Sequence, residues 1–208
     1  MGFYSRRILP YVVNVACGGS TMRPLRERVC AGLVGEVVEI GFGSGHNVGC
    51  YPSTVTRVRA VEPSDVGWKI AGKRVATSSI PIERAALDGQ DLPFADDTFD
   101  AALSTYTLCT VPDAARALRE LRRVLKPGGS LHFLEHGLAP DPKVRRWQYR
   151  LDPIERRIAG GCEFSRPIEE LVTGGGFTIT DVDHFYEERA PKFAGALSLG
   201  TAQADPRT

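Results

Sequence analysis

The most informative stretch of this 208-residue chain is Glu39-Ile40-Gly41-Phe42-Gly43-Ser44-Gly45. It completes a β-branched run over residues 36–40, which is typical of a buried strand. Alternate glycines permit a tight turn and leave main-chain atoms accessible to a ligand that a Cβ would block. A strand that ends in such a loop predicts the first βαβ unit of an α/β fold with a parallel sheet.

On both sides of this loop, short apolar runs alternate with helical stretches, which is the pattern of repeated βαβ units. The runs predict strands at 36–40, 56–61, 80–87, 99–104 and 130–136, and helices at 24–33, 65–76, 112–125 and 144–158. They also predict a terminal hairpin formed by 177–186 and 193–199, with fraying beyond Gly200. We expect a single domain over residues 1–208, with an N-terminal extension or lid at 1–30 and a helical insertion at 140–172.

Charge and composition limit the functional classes. The 26 basic and 25 acidic side chains leave a net charge of +1, without the basic excess that binding a nucleic-acid backbone requires. The most apolar N-terminal run, residues 8–17, is too short for a bilayer that takes about 20 residues to cross, and no secretory cleavage pattern follows it. We therefore expect a cytoplasmic monomer or homodimer with no nucleic-acid partner and no transmembrane segment.

The five cysteines are odd in number and scattered: Cys17, Cys30, Cys50, Cys109 and Cys162. They form neither a C-x-x-C pair nor a Cys/His group with the short spacing of a zinc site. The spacing predicts reduced thiols, as in a cytoplasm, and no metal site.

The glycine spacing bears on which nucleotide the loop binds. A dinucleotide fingerprint needs G-x-G-x-x-G, but the third position is His46 counted from Gly41 and Val48 counted from Gly43. Glu39 stands two residues before the first glycine, where its charge would repel a pyrophosphate and attract the ammonium and sulfonium of S-adenosylmethionine. These features favour S-adenosylmethionine over the alternative, an NAD-dependent reductase.

Acidic residues after the next two strands fit the adenosine part of that cofactor. Glu62 ends the second strand and can accept hydrogen bonds from both ribose hydroxyls, a need that NAD shares. Asp88 follows the third strand, where its carboxylate can accept from the adenine amino group while the amides of Gly89 and Gln90 contact the ring. Each feature alone also fits a tight turn, a helix cap or a solvated charge. Their occurrence at three successive strand ends favours the cofactor.

Several motifs follow one another in order: Glu39-x-Gly41-x-Gly43-x-Gly45, Ala60-Val61-Glu62-Pro63, Leu92-Pro93-Phe94, Phe99-Asp100 and Arg123-Val124-Leu125-Lys126-Pro127-Gly128-Gly129. With them the sequence resembles class I S-adenosylmethionine-dependent methyltransferases over residues 30–187. The resemblance implies a Rossmann-like, mostly parallel seven-stranded sheet with an antiparallel last strand and helices on both faces. It implies that the cofactor, and its product S-adenosylhomocysteine, contact Glu39, Gly41, Gly43, Glu62 and Asp88, with Pro63, Gly89 and Gln90 beside them and, by position, Phe42, Ser104 and Cys109.

A narrower set of motifs is similar to the branch that contains animal alkyl-thiol S-methyltransferases: Leu108-Cys109-Thr110-Val111, Leu134-Glu135-His136, Trp147 with Leu151-Asp152-Pro153, and Gly161-Cys162. This implies a thiol as the first methyl acceptor to consider, ahead of quinone-like or phenolic groups and phospholipid amines.

Two departures from related enzymes also favour a soluble enzyme that acts on a small molecule. No counterpart of the membrane-anchoring N-terminus of the animal relatives is apparent, and Ser104-Thr105-Tyr106-Thr107 replaces the D/N-P-P-Y motif of amino-directed nucleic-acid methyltransferases. A cofactor-binding regulatory protein without catalysis stays open, because no motif contains an indispensable catalytic residue.

The acceptor side offers a few candidate residues. Methyl transfer from a sulfonium needs alignment and exclusion of water more than a strong base, and a thiol with a pKa of about 8.5 already supplies some thiolate. His136 ends the fifth strand and is the candidate to take a proton or orient the acceptor; the alternative is a structural histidine. Tyr106 and Trp147 are candidates for the acceptor pocket, near the insertion at 140–172, although aromatic residues at such places also serve plain packing.

Overall fold

The computed structural model describes residue 4, residues 7–19 and residues 21–206. Its strands are β1 Gly35–Ile40, β2 Val55–Val61, β3 Ile82–Ala86, β4 Phe99–Thr105, β5 Leu125–His136, β6 Phe177–Tyr186 and β7 Ala196–Ala204. Its helices are α1 Leu9–Ala16, α2 Met22–Cys30, α3 Asp65–Ala76, α4 Ala114–Val124, α5 Pro142–Ile158, α6 Ile168–Gly174 and α7 Lys192–Gly195. Residues 1–3, 5, 6 and 20 of the predicted N-terminal extension lie outside the described residues.

The strands form one sheet in the order β3-β2-β1-β4-β5-β7-β6. β1 pairs in parallel with β2 and β4, and parallel pairing of β2 with β3 and of β4 with β5 extends the sheet on each side. β7 lies between β5 and β6 and is antiparallel to both. The prediction of a mostly parallel seven-stranded sheet with an antiparallel last strand is confirmed.

The strand order changes direction at β1, since β2 and β3 lie on one side of it and β4 and β5 on the other. Such a switch opens a crevice beyond the carboxyl ends of the strands, where α/β proteins bind ligands. The register aligns these ends: Ile40 is opposite Val61 on one side and Ser104 on the other. Thr105 is in turn opposite Leu134 of β5. The segments that follow β1, β2, β4 and β5 therefore meet at one edge of the sheet.

Helices cover both faces of the sheet, as predicted. Successive strand residues point to opposite faces, and Val37 and Val38 of β1 accordingly belong to different core clusters. The cluster around Val38 includes Leu118 and Leu121 of α4, and the cluster around Val37 includes Val29 of α2. The two clusters fix the strand register, because a slip of one residue would turn each side chain to the wrong face.

The carboxyl-terminal strand extends further than the sequence predicted. β7 continues to Ala204, so the expected fraying beyond Gly200 is wrong. Ala202 is opposite Leu131 of β5 and Ile179 of β6, and its side chain is buried. The small and polar side chains of this segment gave no strand signal, because the neighbouring strands rather than its own apolar pattern hold it in the sheet.

Strand β5 also begins earlier than predicted. It starts at Leu125, directly after α4, so that Pro127-Gly128-Gly129 falls inside the strand instead of preceding it. Proline and glycine weaken a regular ladder, and the structure accommodates them with a shift of register opposite Phe99 and Ala101 of β4.

The described part of the N-terminal extension lies between the glycine loop and α5. The backbone oxygen of Asn14, in α1, is 3.1 Å from Nε2 of His46 in the glycine loop. The hydroxyl of Tyr4 donates a hydrogen bond of 2.9 Å to the carbonyl oxygen of Ile158, at the end of α5. Within the parts of the chain that the structure describes, no helix combines the length and apolar character needed to cross a membrane.

Candidate functional site

The glycine loop after β1 adopts a backbone that glycine accepts readily and other residues do not. Gly41, Gly43 and Gly45 have φ angles of +64°, +57° and +76°. A Cβ on Gly41 would overlap the side chain of Thr107, so the segment after β4 packs directly on this residue. A Cβ on Gly43 would meet no atom closer than the Gly41 carbonyl oxygen at 3.7 Å. The loop therefore has no free space beside Gly41 but is open at Gly43, where a ligand can approach the backbone.

The carboxylate of Glu62 connects this loop to the end of β2 through hydrogen bonds. Its Oε2 accepts a hydrogen bond from the Gly43 amide at 2.5 Å, and its Oε1 accepts one from the Ser64 amide at 2.6 Å. Burial raises the pKa of Glu62, and the two amide donors oppose that rise because they stabilise the charged form. The Ser64 hydroxyl accepts a hydrogen bond from the Gly67 amide and caps α3, the helix predicted at 65–76. The predicted ribose-binding residue thus lies next to the open part of the loop.

Glu39 lies in a buried polar network that the sequence did not predict. It accepts hydrogen bonds from Asn47 Nδ2 at 3.0 Å and from the Tyr51 hydroxyl at 2.5 Å. Arg26, in α2, donates to Asn47 Oδ1 at 2.8 Å and to Thr105 Oγ1 at 3.3 Å. Burial raises the pKa of Glu39 to about 7, although the hydrogen bonds and the charge of Arg26 oppose that rise. The position of Asn47 and Tyr51 just after the glycines was a signal that could have found them.

Asp88, predicted near the adenine, is exposed after the end of β3. Its Oδ1 accepts hydrogen bonds from the side-chain amide of Gln90 at 3.0 Å and from the backbone amide of Gln90 at 2.8 Å, and these lower its pKa. A Cβ on Gly89 would come within 3.3 Å of Ile40, so this turn packs against the end of β1. The turn brings the three predicted residues together beside the strand that carries the glycine loop.

Phe42 and Pro63 occupy different environments on the two neighbouring loops. The ring of Phe42 is buried, with its centroid 5.4 Å from that of Trp68 in α3. Pro63 is exposed directly after Glu62. Only the backbone of Phe42 therefore belongs to the open side of the glycine loop, and the contacts predicted for both residues stay predictions.

Glu135, at the end of β5, joins two residues that were predicted to contact the cofactor. Its Oε1 accepts hydrogen bonds from the Ser104 hydroxyl at 2.6 Å and from the Thr107 amide at 3.1 Å, and its Oε2 accepts one from the Cys109 amide at 3.2 Å. Burial raises the pKa of Glu135, against the effect of these donors. The carboxylate thereby fixes the segment that follows β4 and covers Gly41. The role of Glu135 was not predicted from the sequence.

Tyr106 and His136, both predicted for the acceptor side, lie together. Their ring centroids are 5.1 Å apart. Tyr106 has a φ of +54°, a conformation that is costly for a residue with a Cβ and that is found repeatedly at functional sites. From α2, Met22 Sδ is 3.1 Å from the Tyr106 hydroxyl and the guanidinium of Arg26 is 5.5 Å from the ring centroid. Helix α2 therefore forms a wall beside Tyr106.

Trp147, the other residue predicted for the acceptor pocket, lies on α5 with 56% of its surface exposed. The guanidinium of Arg150, one turn further along the helix, is 5.6 Å from its ring centroid. Among the ring contacts of the described residues, Trp147 does not join Tyr106 and His136. Its place in the pocket stays a prediction.

His136 also belongs to a cluster with two cysteines. Its Nδ1 is 3.8 Å from Cys109 Sγ and 3.7 Å from Cys162 Sγ, and the two sulfurs are 3.8 Å apart. The hydrogen bond between the two thiols lowers the pKa of Cys162 and raises that of Cys109, and the bond to His136 lowers the pKa of Cys162 further. The spacing of the cysteines and histidines along the chain did not indicate this group, and the expectation of no metal site stays a prediction. The three residues are 27 and 26 positions apart, so only the fold brings them together.

One backbone hydrogen bond and the side chain of Arg166 hold the two cysteine-bearing loops against each other. The Glu163 amide donates to the Cys109 carbonyl oxygen at 2.9 Å. The guanidinium of Arg166 donates to the carbonyl oxygens of Leu108 and Val111 at 2.8 and 2.6 Å, and to the Glu163 carboxylate at 2.8 Å. These hydrogen bonds fix the loops that carry the two sulfurs.

The part of the chain that contains the glycine loop and Glu62 matches a known protein family. Residues 38–133 match the family model described as a methyltransferase domain. The matched range runs from the last residues of β1 through the glycine loop and Glu62 to β5.

Individual relatives are similar over part of their length. A human thiol S-methyltransferase is 31% identical over 152 residues, which are 71% of this chain and 62% of the relative. A demethylmenaquinone methyltransferase of Clavibacter sepedonicus is 34% identical over 120 residues, which are 57% of this chain and 49% of the relative. The chain thus spans less than two thirds of the length of either relative.

Solved structures show the same architecture. An S-adenosylmethionine-dependent methyltransferase of Mesorhizobium loti superposes with a TM-score of 0.64 at 20% sequence identity, over 89% of this chain and 98% of that structure. At this identity the likeness establishes the fold alone.

Proposed function

We propose that the chain transfers a methyl group from S-adenosylmethionine to a small molecule, because residues 38–133 match the model of a methyltransferase domain. The observation that carries the proposal is the hydrogen bond between Glu62 and the Gly43 amide, which sets a carboxylate beside the open part of the glycine loop. A thiol is the first candidate acceptor.

The residues at this edge of the sheet fit S-adenosylmethionine. The left-handed backbone at Gly43 leaves space that a Cβ would fill. Glu62 offers carboxylate oxygens to the two ribose hydroxyls, and Asp88 offers one to the adenine amino group. Glu39 supplies a negative charge to the methionine ammonium, which favours the ionised form of this buried carboxyl.

Methyl transfer requires the protein to do little more than align the two reactants and exclude water. When bound, S-adenosylmethionine supplies an electrophilic methyl group, whose transfer neutralises the sulfonium charge and leaves S-adenosylhomocysteine. The chain's own part is to hold the acceptor in line and to exclude water. Glu135 fixes the segment after β4, and Arg26 links the glycine loop to α2, so these two buried residues keep the two sides of the crevice in place.

We place the acceptor beside Tyr106 and His136. His136 is the side chain that we assign to orienting the acceptor or receiving its proton. In this proposal the N-terminal extension, with α1 and α2, acts as a lid on one side, and the insertion at 140–172, with α5, forms the other wall. Both segments contact each other through Tyr4 and Ile158.

Two acceptor classes are supported by relatives. The similarity to a human thiol S-methyltransferase favours a thiol. The similarity to a demethylmenaquinone methyltransferase makes a quinone ring the second candidate. A thiol is also the easier nucleophile to activate, because part of it is ionised at neutral pH.

Calorimetric titration with S-adenosylhomocysteine and with NADH tests the cofactor. We expect binding of the former alone. Glu39→Ala should weaken it by at least about 1.5 kcal/mol, the value of a charge-assisted hydrogen bond. Glu36→Ala, at the other end of β1, is the matched control and should leave binding unchanged. Equal affinity of the two variants would refute the role of Glu39.

Methyl release against a panel of thiols, quinones, phenols, amines and lipids tests the acceptor. We expect turnover with a thiol. Binding of S-adenosylhomocysteine without turnover of any compound would instead support a regulatory protein that binds the cofactor and does not catalyse.

A further inference from the structure

The cluster of Cys109, His136 and Cys162 has the dimensions of a metal site. Its three donor atoms form a triangle with sides of 3.8, 3.8 and 3.7 Å. The centre of such a triangle is about 2.2 Å from each corner, and zinc bonds are about 2.3 Å to sulfur and about 2.0 to 2.1 Å to imidazole nitrogen. We propose that these three side chains bind one Zn²⁺ ion.

The donor set suits this ion chemically. Two thiolates and one imidazole are ligands that zinc prefers over the hard cations that select oxygen. Both cysteines are buried and His136 is half-buried, so a charge placed here must be compensated. One doubly charged cation with two thiolates and a neutral imidazole is neutral overall, which removes most of that cost.

The ligands are held in place before any ion arrives. The Cys109 amide is bonded to Glu135, and the Cys109 carbonyl oxygen is bonded to the Glu163 amide beside Cys162. His136 is paired with Leu197 at the end of β5, in register with β7. Three ligands from a loop, a strand end and a second loop thus converge without a large rearrangement, which favours affinity.

Zinc binding releases the thiol protons of the two cysteines. The S–H bonds of Cys109 and Cys162 break, two zinc–sulfur bonds and one zinc–nitrogen bond form, and the two protons pass to solvent. No oxidant or reductant takes part, and both sulfurs keep their oxidation state.

Three protein ligands leave the fourth position of a tetrahedral ion open, which is the pattern of catalytic rather than structural zinc sites. The ring of His136 contacts Tyr106, beside which the acceptor is placed, and its Nδ1 is near the two sulfurs, so the cluster adjoins the proposed acceptor position. Resting on the proposed function, a thiol acceptor would occupy the open position as thiolate, with its proton released to solvent and a sulfur lone pair kept for the methyl carbon. His136 would then orient the acceptor through the ion and would not take its proton.

Metal titration of the full chain tests the site. The protein is reduced with a phosphine, stripped with a chelator and titrated with ZnCl₂ in competition with a chromophoric chelator. We expect one ion per chain. Titration with CoCl₂ should give the thiolate-to-cobalt charge-transfer absorption and the ligand-field bands of a tetrahedral sulfur-ligated ion. Absence of both signals in folded wild-type protein overturns the proposal.

Variants locate the ion. Cys162→Ala should weaken zinc binding by at least about tenfold and remove one thiolate contribution from the cobalt spectrum. Cys30→Ala, which removes an equally buried cysteine from a different part of the core, should leave both unchanged. If Cys162→Ala does not fold, the wild-type spectrum still decides between sulfur ligation and none. Equal zinc affinity of wild type and folded Cys162→Ala overturns the proposal.

Two further measurements separate the possible failures. If the reduced protein binds neither ion, and peptide mapping after oxidation in air shows a disulfide between Cys109 and Cys162, the zinc site is refuted. Calorimetry with S-adenosylhomocysteine is run on the same samples. Zinc binding without S-adenosylhomocysteine binding refutes the proposed function alone, and the reverse result refutes the zinc site alone.

Discussion

The Gly43 amide donates a hydrogen bond of 2.5 Å to the carboxylate of Glu62, and so joins the loop after β1 to the end of β2. The bond depends on the parallel register in which Ile40 is opposite Val61, since that register places the two loops side by side. A ligand that lies across these strand ends meets the open backbone and the carboxylate at the same time.

Glu62→Gln should therefore weaken cofactor binding. The substitution replaces one carboxylate oxygen with an amino group that faces a donating main-chain amide, of Gly43 or of Ser64. We expect a loss of about 1.5 to 3 kcal/mol in the calorimetric titration with S-adenosylhomocysteine. Glu83→Gln makes the same chemical change on the exposed side of β3 and should leave binding unaltered. Wild-type affinity in Glu62→Gln would contradict the assignment to the ribose.

Glu39 should make the stability of the protein depend on pH. Burial raises its pKa in the folded state to about 7, from an ordinary value of 4.5. Between these values the folded state keeps a proton that the unfolded state has released, so the free energy of unfolding falls as the pH rises. The full effect is on the order of 3 kcal/mol. The free energy of unfolding, measured with urea, should fall more between about pH 5 and about pH 8 for wild type than for Glu39→Gln, whose side chain cannot ionise. An equal fall in the two proteins would show that folding does not raise the pKa of Glu39.

Gly41→Ala should destabilise the fold by more than about 2 kcal/mol, from left-handed backbone strain and from overlap with Thr107. Gly49→Ala is the control, because a Cβ there meets no atom within 4 Å, and we expect a change within about 0.5 kcal/mol. Adding Thr107→Gly to Gly41→Ala should recover the part of the loss that is due to overlap. Thermal and urea unfolding of the single and double variants measure these differences. Equal stability of Gly41→Ala and Gly49→Ala would be incompatible with the packing at Gly41.

The sequence predicted the sheet and the cofactor side because their signals are local. Apolar alternation defines each strand, and Gly41, Gly43 and Glu62 each follow a strand directly. Contacts between distant segments left no such signal. Arg26 reaches Asn47 only because α2 packs over the glycine loop, and no spacing rule connects them.

The cysteine cluster illustrates the same limit. Short ligand spacing identifies zinc sites in which one turn supplies two ligands, and here each of Cys109, His136 and Cys162 comes from a different element. Their meeting depends on the register of β4 with β5 and on the return of the chain after α5. The sequence pattern specifies neither the strand register nor the path of the chain after α5.

The end of β7 offers a direct test of the part of the fold that the sequence missed. Ala202→Asp would place a carboxylate in the buried position between β5 and β6 and should destabilise the protein by about 3 kcal/mol or more. Gln203→Asp introduces the same side chain at the next position, which is exposed, and should change the free energy of unfolding by less than about 1 kcal/mol. Urea unfolding compares the two. A similar small effect of both substitutions would indicate that residues beyond Gly200 are frayed after all.

Tyr106 allows the acceptor pocket to be tested apart from the cofactor site. Tyr106→Ala keeps the strained backbone but removes the ring next to His136. We expect the KM for a thiol acceptor to rise about tenfold or more, because a residue that lines the pocket contributes about 1.4 kcal/mol or more to acceptor binding. Affinity for S-adenosylhomocysteine should stay within about twofold, since the ribose and ammonium contacts are assigned to other residues. Tyr106→Phe, which keeps the ring and loses the hydroxyl near Met22, is the matched control and should preserve the KM. A fall in cofactor affinity without a change in acceptor KM would place Tyr106 on the cofactor side instead.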